Sequence, residues 1–192
     1  MPATIIVGAQ WGDEGKGRVV DDLASRADVV ARYNGGDNAG HTVVAEGHTL
    51  GLHLVPSGIL NPHAVCLIGA GTVVNPLRLL EEFAVLREAG IEVTPARLKI
   101  AAGAHLILPT HRALDGAQEQ ALGEQAIGTT ARGIGPTYAD KARRVGLRAA
   151  LMRDPKAFAA QARTLMMAHN EWLINLYHLK PQLIGTHVER LQ

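Results

Sequence analysis

The stretch VGAQWGDEGKGRVVDD at residues 7–22 decides the fold, because its four glycines lie between a β-like run (4–7) and a helix-like run (18–27). Free N–H groups at a helix N-terminus point at a ligand, so a strand, a glycine loop and a helix start together form an anion site. Lys16 adds a cation suited to phosphate. The stretch therefore predicts a phosphate-binding loop, since a simple solvated turn rarely needs four glycines and a lysine.

This first glycine loop departs from the phosphate-loop pattern G-x-x-x-x-G-K-[ST] at both ends. Gln10 stands where the pattern has its first glycine, and Gly17 stands where it has Ser or Thr. The hydroxyl that usually binds magnesium is therefore missing, and Asp13 could supply a ligand instead. A carboxylate in a phosphate cradle is repulsive without a cation or a proton to transfer, which predicts a chemical role for Asp13.

A second glycine loop, RYNGGDNAGHT at 32–42, follows another strand candidate and reaches His41 near its end. A histidine at the ligand edge of such a loop can act as a general acid or hydrogen-bond a developing negative charge. His169 falls on the apolar stripe of a long helix, where we expect a packing residue with satisfied hydrogen bonds. No H-E-x-x-H spacing occurs, so a structural zinc site is not expected. The other histidines have no such context: His48, His53, His63, His105, His111, His178 and His187.

A third glycine-rich loop, IGTTARGIGPTYADK at 127–141, carries the hydroxyls of Thr129 and Thr130. Hydroxyls and backbone N–H groups bind phosphate, and arginine binds it through two parallel hydrogen bonds. Three such loops in one chain predict a site for two phosphorylated ligands. The bases in and after the third loop are Arg132, Lys141, Arg143 and Arg144.

Strand and helix patterns alternate along the chain, which predicts an α/β fold with a largely parallel central sheet flanked by helices. Parallel sheets bind ligands at the carboxyl ends of their strands. The third predicted helix has Thr110 as its cap, and the second opens with Asn75 and Pro76. The predicted strands are 3–8, 28–33, 64–71, 97–102 and 105–109, with a hairpin at 42–55 that turns near Glu46 and Gly47. The predicted helices are 17–27, 76–89, 111–122 and 155–179.

The chain has 192 residues, of which 47% are hydrophobic, and suits one domain with a real core. Its formal net charge of +1 provides no strongly basic face, so nucleic acid is not an expected partner. Cys66 is the only cysteine, which fits a reducing cytosolic location, and we expect it in a buried strand. No signal peptide and no apolar stretch of about 18 residues is present, so no membrane span is expected.

Four motifs together resemble the adenylosuccinate synthetase family: QWGDEGKG (10–17), NAGHT (38–42), LHLVPSGI (52–59) and IGTTARGIGP (127–136). The resemblance implies an α/β fold similar to phosphate-loop NTPases, with the hairpin as an insertion. It also implies a cytoplasmic, homodimeric ligase of AMP biosynthesis. Such a ligase uses GTP and Mg²⁺ to join IMP and L-aspartate into adenylosuccinate, through a 6-phosphoryl-IMP intermediate.

The resemblance also assigns roles to single residues. Asp13 is the general base at N1 of IMP and a Mg²⁺ ligand, His41 is the general acid, and Lys16 belongs to the same catalytic group. Removing the N1 proton makes O6 nucleophilic, and an acid or cation must then offset charge on the transferred phosphate. Gly40 gives its carbonyl oxygen to Mg²⁺.

The ligand contacts implied by the resemblance overlap in the first two loops. Arg144 reaches the IMP site of the partner in a homodimer, and we prefer it to Arg143, where the family varies more. The expected GTP contacts are Gly12, Asp13, Glu14, Gly15, Lys16, Gly17, Arg18, Gly40, His41 and Thr42. The expected IMP contacts are Asp13, Glu14, Gly15, Lys16, Asn38, Ala39, Gly40, His41, Thr130 and Arg144.

The family chain is considerably longer than this one, so we expect residues 1–192 to form a single, truncated domain that is incomplete relative to the family. Such a chain would be a truncated gene product, a fragment or an incomplete sequence, with weak or absent activity alone because positioning supplies much of the rate. Two alternatives stay open: a generic NTPase that needs no IMP, and a residual nucleotide-binding or dimerisation module without turnover. A dinucleotide-binding dehydrogenase ranks last, because the G-x-G-x-x-G spacing is missing.

Overall fold

The computed structural model describes residues 3–9, 16–38, 40–45 and 48–191. The strands in these ranges are β1 (Val29–Arg32), β2 (His41–Ala45), β3 (His48–Leu52), β4 (Val65–Ile68), β5 (Val73–Val74), β6 (Leu98–Ile100) and β7 (His105–Leu106). The α-helices are α1 (Lys16–Ala24), α2 (Pro76–Glu88), α3 (Pro109–Leu122), α4 (Ile134–Arg143), α5 (Pro155–Asn175) and α6 (Ile184–Glu189). Within the same ranges, no helix is both long enough and apolar enough to cross a membrane.

A parallel sheet with the strand order β1-β4-β6 carries the second glycine loop at its carboxyl edge. Val29 pairs with Val65 and Cys66 pairs with Leu98, so both neighbours of β4 run in its direction. β5 and β7 form a second parallel pair, and β2 and β3 form an antiparallel hairpin. The predicted α/β fold with parallel strands and a hairpin is confirmed, although the turn at 46–47 lies outside the described residues.

The inner face of this sheet belongs to the main hydrophobic core. Cys66 and Ile68 of β4 are fully buried, and Leu98 of β6 is buried beside them. Burial raises the pKa of the Cys66 thiol to about 11, although the charge of Arg97 acts in the opposite direction. The expectation of a buried cysteine in a strand is therefore confirmed. The core also takes side chains from β3, α2 and α5, among them Leu52, Leu86, Phe158 and Met166.

The opposite side of the same sheet, here called the outer sheet face, consists of Val29, Ala31, Val65, Leu67 and Lys99. Successive side chains of a strand point to opposite faces, which separates these residues from the buried set. Val29 is 57% exposed, and Val65 and Leu67 are half-buried. Parallel sheets are ordinarily covered on both faces. This sheet is covered on one face by the described part of the chain.

Two helices begin as their sequences predict. The side chain of Asn75 accepts a hydrogen bond from the N–H of Arg78 at 3.3 Å, and Pro76 opens α2. Asp154 caps α5 by accepting from the N–H of Ala157 at 3.0 Å. Each cap satisfies a backbone N–H that has no partner within its own helix.

Several predicted boundaries are wrong. Residues 3–8 form no strand, since a strand needs a hydrogen-bonded neighbour and no described strand pairs with them. α1 ends at Ala24 and not at residue 27, and α5 ends at Asn175 and not at residue 179. Thr110 does not cap α3, because the helix already begins at Pro109. Thr110 lies in the first turn of α3, and its side chain is buried.

Candidate nucleotide-binding site

The first loop is only partly covered by the structure. Lys16 opens α1, and Gly17 and Arg18 follow in its first turn, so these three lie where a helix N-terminus favours anions. The predicted site residues Gly12, Asp13, Glu14, Gly15 and Ala39 lie outside the described residues.

The second loop leaves β1 and is shaped by glycines in close contact with side chains. A Cβ atom on Gly36 would come within 2.9 Å of Ile134, and one on Gly40 would come within 2.8 Å of His53 Nε2. Any larger residue at either position would force these neighbours to move. Asn38, Gly40 and Thr42, all predicted ligand contacts, are exposed, and His41 is the first residue of β2.

Arg32, the last residue of β1, ties this loop to the segment after the hairpin. Its guanidinium donates to the carbonyl oxygens of His53 and Gly36. Burial lowers the pKa of Arg32, and the negative charges of Glu82 and Asp37 counteract that effect. One partly buried cation therefore ties the middle of the second loop to the segment after the hairpin.

Glu82 of α2 also holds the segment that follows the hairpin. Its buried carboxylate accepts from the N–H groups of Leu54, at 2.9 and 3.1 Å, and Val55, at 3.0 Å. His53 Nδ1 lies 3.8 Å from Glu82 Oε1, and the His53 ring backs Gly40. Sequence reasoning gave His53 no role. The sequence signal that could have pointed to this segment is Glu82, a charged residue among the inward-facing positions of a helix.

α4 joins the second and third loops. Tyr138 Oη accepts from the N–H of Gly35 at 2.9 Å and donates to the carbonyl oxygen of Gly71 at 2.7 Å. Arg132, in the third loop, donates to the carbonyl oxygen of Asp37. Gly35 follows β1 and Gly71 follows β4, so α4 covers the carboxyl ends of two neighbouring parallel strands. The structure thus brings the second and third predicted loops into contact.

The third loop has an unusual backbone. Gly128 and Gly133 have φ angles of +81°, and Ala131 has a φ of +50°. Thr129 and Thr130 are exposed between them. Left-handed backbone is unfavourable for residues with a Cβ atom, so the loop needs fixed anchors to keep this shape.

The two arginines at the end of α4 differ in their surroundings. The guanidinium of Arg143 lies over the Trp172 ring, 4.7 Å from its centroid. The same group lies 3.6 Å from Asp140 Oδ1. Arg144, the C-cap residue, is exposed and has a left-handed φ of +65°. Trp172 and Asp140 therefore hold Arg143 on the chain's own surface, whereas Arg144 projects from the helix end.

A buried polar cluster lies behind the third loop and links α3, α4 and α5. Asp140 Oδ2 accepts from His111 Nε2 at 3.0 Å and from His169 Nε2 at 2.9 Å. His169 Nδ1 lies 2.8 Å from the Thr110 hydroxyl. The expectation that His169 packs with satisfied hydrogen bonds is confirmed. Sequence reasoning missed His111 and Asp140, which lie 29 residues apart and show no local pattern.

The ligand atoms of His111, Asp140 and His169 lie within 4.8 Å of one another, close enough for a metal site. The hydrogen bonds argue against one, because the N–H of Leu108 donates to His111 Nδ1 at 2.8 Å. Nε2 of that ring must then carry the proton and donate to Asp140. Burial alone would raise the pKa of Asp140, but the hydrogen bonds from His111 and His169 outweigh it and hold the pKa well below its usual range.

A parallel sheet flanked by helices, with a glycine loop at the carboxyl end of β1, defines an α/β protein. The family profile described as "Adenylosuccinate synthetase" matches residues 5–191. The chain therefore belongs to the adenylosuccinate synthetase family, which confirms the resemblance seen in the motifs.

Curated relatives and solved structures agree with this family. Adenylosuccinate synthetase from Lactococcus lactis subsp. lactis (strain IL1403) is 51% identical over 181 residues, which cover 94% of this chain and 42% of that protein. The Synechococcus sp. (strain RCC307) relative is 52% identical, covering 94% and 41%. Fully ligated adenylosuccinate synthetase from Plasmodium falciparum superposes with a TM-score of 0.83 at 34% identity, covering 96% and 42%. The chain thus spans about two fifths of the length of these relatives.

A more distant neighbour is the cyanophage S-2L succinoaminodeoxyadenylate synthetase bound to dGMP and dATP. It superposes with a TM-score of 0.59 at 27% identity, covering 82% of this chain and 46% of the phage protein.

Proposed function

We propose that this chain carries the N-terminal catalytic part of a GTP-dependent ligase that joins IMP and L-aspartate into adenylosuccinate. The supporting observation is the physical joining of the second and third loops by Tyr138 and Arg132, in a chain that belongs to this family. The enzyme would release GDP and phosphate. A cytoplasmic location and a single domain over residues 1–192 stay predictions.

The chemistry is divided among the first two loops. Asp13 removes the proton at N1 of IMP, so that O6 can attack the γ-phosphate of GTP. His41 then donates a hydrogen bond or a proton to the transferring phosphate, and Lys16 offsets its charge. The aspartate amine displaces that phosphate in the second step.

A Mg²⁺ ion fits the donor set proposed for it. A carboxylate oxygen of Asp13 and the backbone carbonyl oxygen of Gly40 are hard ligands, which this ion prefers. Gly40 is exposed, and the His53 ring backs its Cα, so a residue with a side chain could not take its place without a shift. When bound, the ion would neutralise negative charge on the phosphates.

The proposed homodimer places Arg144 in the partner's IMP site. The exposed, left-handed position of Arg144 supports this choice over Arg143, which Trp172 and Asp140 engage within the chain. A strained backbone at a non-glycine residue is a reason to suspect function, because the strain must be balanced by the surrounding structure.

The outer sheet face supports the view that the described fold needs additional chain to be complete. Parallel sheets bury both faces, and the matched relatives are more than twice as long as this chain. We infer that the remainder of a family chain covers Val29, Ala31, Val65, Leu67 and Lys99. The proposed activity therefore depends on that remainder.

The decisive experiment is an assay of adenylosuccinate formation by the purified 192-residue protein with IMP, GTP, L-aspartate and Mg²⁺, with Asp13→Ala as the control. If the wild-type protein forms adenylosuccinate and the Asp13→Ala variant does not, the 192-residue chain is sufficient for catalysis. If no product forms, the remainder of a family enzyme is added as a separate chain. Restored, Asp13-dependent turnover supports the proposal, and continued inactivity favours a nucleotide-binding or dimerisation module.

Two further reactions distinguish the proposed ligase from other enzymes. GTP hydrolysis that is independent of IMP would indicate a generic NTPase. Turnover with dGMP and dATP, the compounds bound to the phage protein, in place of IMP and GTP would indicate the other synthetase. We expect neither.

A further inference from the structure

We propose that Glu119 and Asp115 of α3 are positioning residues, which clamp the third loop so that Thr130 faces the phosphate of the nucleotide substrate. This inference rests on the proposed function, since that function supplies the substrate. The family resemblance pointed to Thr130 but to neither carboxylate.

The clamp consists of two carboxylates one helical turn apart. Glu119 Oε1 accepts from the N–H groups of Gly128 and, at 3.2 Å, Thr129. Asp115 Oδ2 accepts from the N–H of Gly133 at 2.7 Å. Residues four apart lie on the same face of a helix, so α3 presents both acceptors to the loop.

The loop needs this clamp because its backbone is unfavourable by itself. Gly128 and Gly133, whose N–H groups the carboxylates hold, have φ angles of +81°, and Ala131 between them has a φ of +50°. A Cβ atom on Gly133 would lie 2.8 Å from the backbone nitrogen of Arg112, so the loop also presses directly on α3. Hydrogen bonds to ionised acceptors are stronger than those between neutral groups and can hold such a conformation.

The clamp also changes which groups can bind phosphate. From the sequence alone, the backbone N–H groups and the hydroxyls of the loop were both candidates for binding phosphate. The N–H groups of Gly128 and Thr129 are engaged by Glu119 and point toward α3. Phosphate recognition therefore falls to the exposed hydroxyls of Thr129 and Thr130, of which the family resemblance assigns Thr130. A carboxylate near a phosphate is itself repulsive, so Glu119 must act through the shape of the loop and not through its charge.

Two variants of Glu119 distinguish an effect of loop shape from an effect of charge. Glu119→Gln keeps an acceptor oxygen and loses the charge, so it should keep the loop and bind IMP at least as well as the wild type. Glu119→Ala loses the acceptor, so it should release the loop. Glu124→Ala, in the neighbouring exposed turn, is the matched control.

The first measurement is amide hydrogen exchange by NMR on the 192-residue chain without ligand. We expect exchange at Gly128 and Thr129 to be about tenfold faster or more in Glu119→Ala, the factor that corresponds to losing a hydrogen bond to a charged group. Exchange in Glu119→Gln and Glu124→Ala should stay near the wild-type rate, as should exchange at β4 in all variants. Unchanged exchange in Glu119→Ala would overturn the clamp.

The second measurement is IMP binding by titration calorimetry at constant salt. We expect about tenfold weaker binding in Glu119→Ala and recovery in Glu119→Gln. Faster exchange with unchanged IMP affinity would overturn the positioning role, as would a Gln variant as weak as Ala. If the wild-type chain binds no IMP, both the proposed function of this chain and the positioning role are wrong. The exchange data still decide, independently, whether Glu119 holds the loop.

Discussion

The buried polar cluster between α3, α4 and α5 and the outer sheet face are opposite kinds of region. In the cluster, His111, Asp140 and His169 are almost completely buried, and their side chains bond to one another. On the outer sheet face, Val29 is 57% exposed, and Val65 and Leu67 are only half-buried. Polar groups are thus enclosed where they have partners, and apolar side chains of the outer sheet face stay partly exposed in the described part of the chain. The cluster is therefore satisfied by its own residues, whereas the outer sheet face leaves apolar surface exposed in the described part of the chain.

The largest effect should come from breaking the cluster at its centre. Asp140→Ala leaves two buried imidazole N–H donors without an acceptor, and removing one partner of a buried charged network costs about 3–5 kcal/mol. Urea unfolding followed by circular dichroism measures the loss. Glu88→Ala, at an exposed position of α2, should leave the midpoint nearly unchanged. Equal midpoints for the two variants would contradict the central role of Asp140.

A somewhat smaller effect is expected at Glu82, which anchors the segment behind Gly40. Glu82→Ala leaves the N–H groups of Leu54 and Val55 without their acceptor, at a cost of about 2–4 kcal/mol. Its neighbour Glu81 is exposed, so Glu81→Ala is the matched control and should cost less than about 1 kcal/mol. The same unfolding assay compares them, and a reversed order would refute the anchoring role.

The cluster should also make the fold sensitive to acid. Burial lowers the pKa of His111, more than its hydrogen bond with Asp140 raises it. The unfolded chain then binds a proton that the folded chain refuses, so stability is full above about pH 6.5 and falls below it, by at most about 1.4 kcal/mol per pH unit for one proton. Asp140 adds a loss below about pH 4, because its folded pKa is also depressed.

The contribution of His111 can be isolated by substitution. Urea midpoints at pH 7, 6 and 5 should fall less steeply in His111→Gln than in the wild type. His178→Gln, at an exposed histidine, should keep the wild-type slope. Parallel slopes in all three proteins would assign the acid sensitivity to other groups.

The smallest effect within this chain should come from the outer sheet face. Val29→Thr should change stability by no more than about 0.5 kcal/mol. Val30→Thr, on the inner face against the core, should cost about 1 kcal/mol or more because it introduces a hydroxyl among apolar side chains. Val29→Asp should nevertheless weaken assembly with the remainder of a family chain, measured by co-purification. Undiminished assembly would show that something else covers this face.

The sequence sufficed for the parts of the fold whose determinants are local. Asn75 and Pro76 predicted the start of α2 because capping depends on adjacent residues. Apolar runs predicted the parallel strands β1, β4, β6 and β7 but not the two-residue β5, and glycines marked the second and third loops. Residues 3–8 were wrongly assigned as a strand, because apolar character alone does not supply a pairing partner.

The polar interior could not be predicted, because its contacts join residues far apart in the chain. His111 and His169 each lie 29 residues from Asp140, one before it and one after, and no periodicity connects them. Thr110 fitted the pattern of a cap, but its hydroxyl bonds to His169 instead, a tertiary contact that local propensity does not register. The roles of His53 and Glu119 were missed for the same reason.

The solitary thiol of this chain has a practical consequence. Cys66 lies in the central strand of the parallel sheet, fully buried and with a pKa of about 11, so almost none of it is thiolate at neutral pH. Alkylating reagents react with thiolates and need access to them. The rate of labelling at this one atom therefore reports how often the sheet opens. A slower rate after addition of the remainder of a family chain would register assembly without any engineered probe.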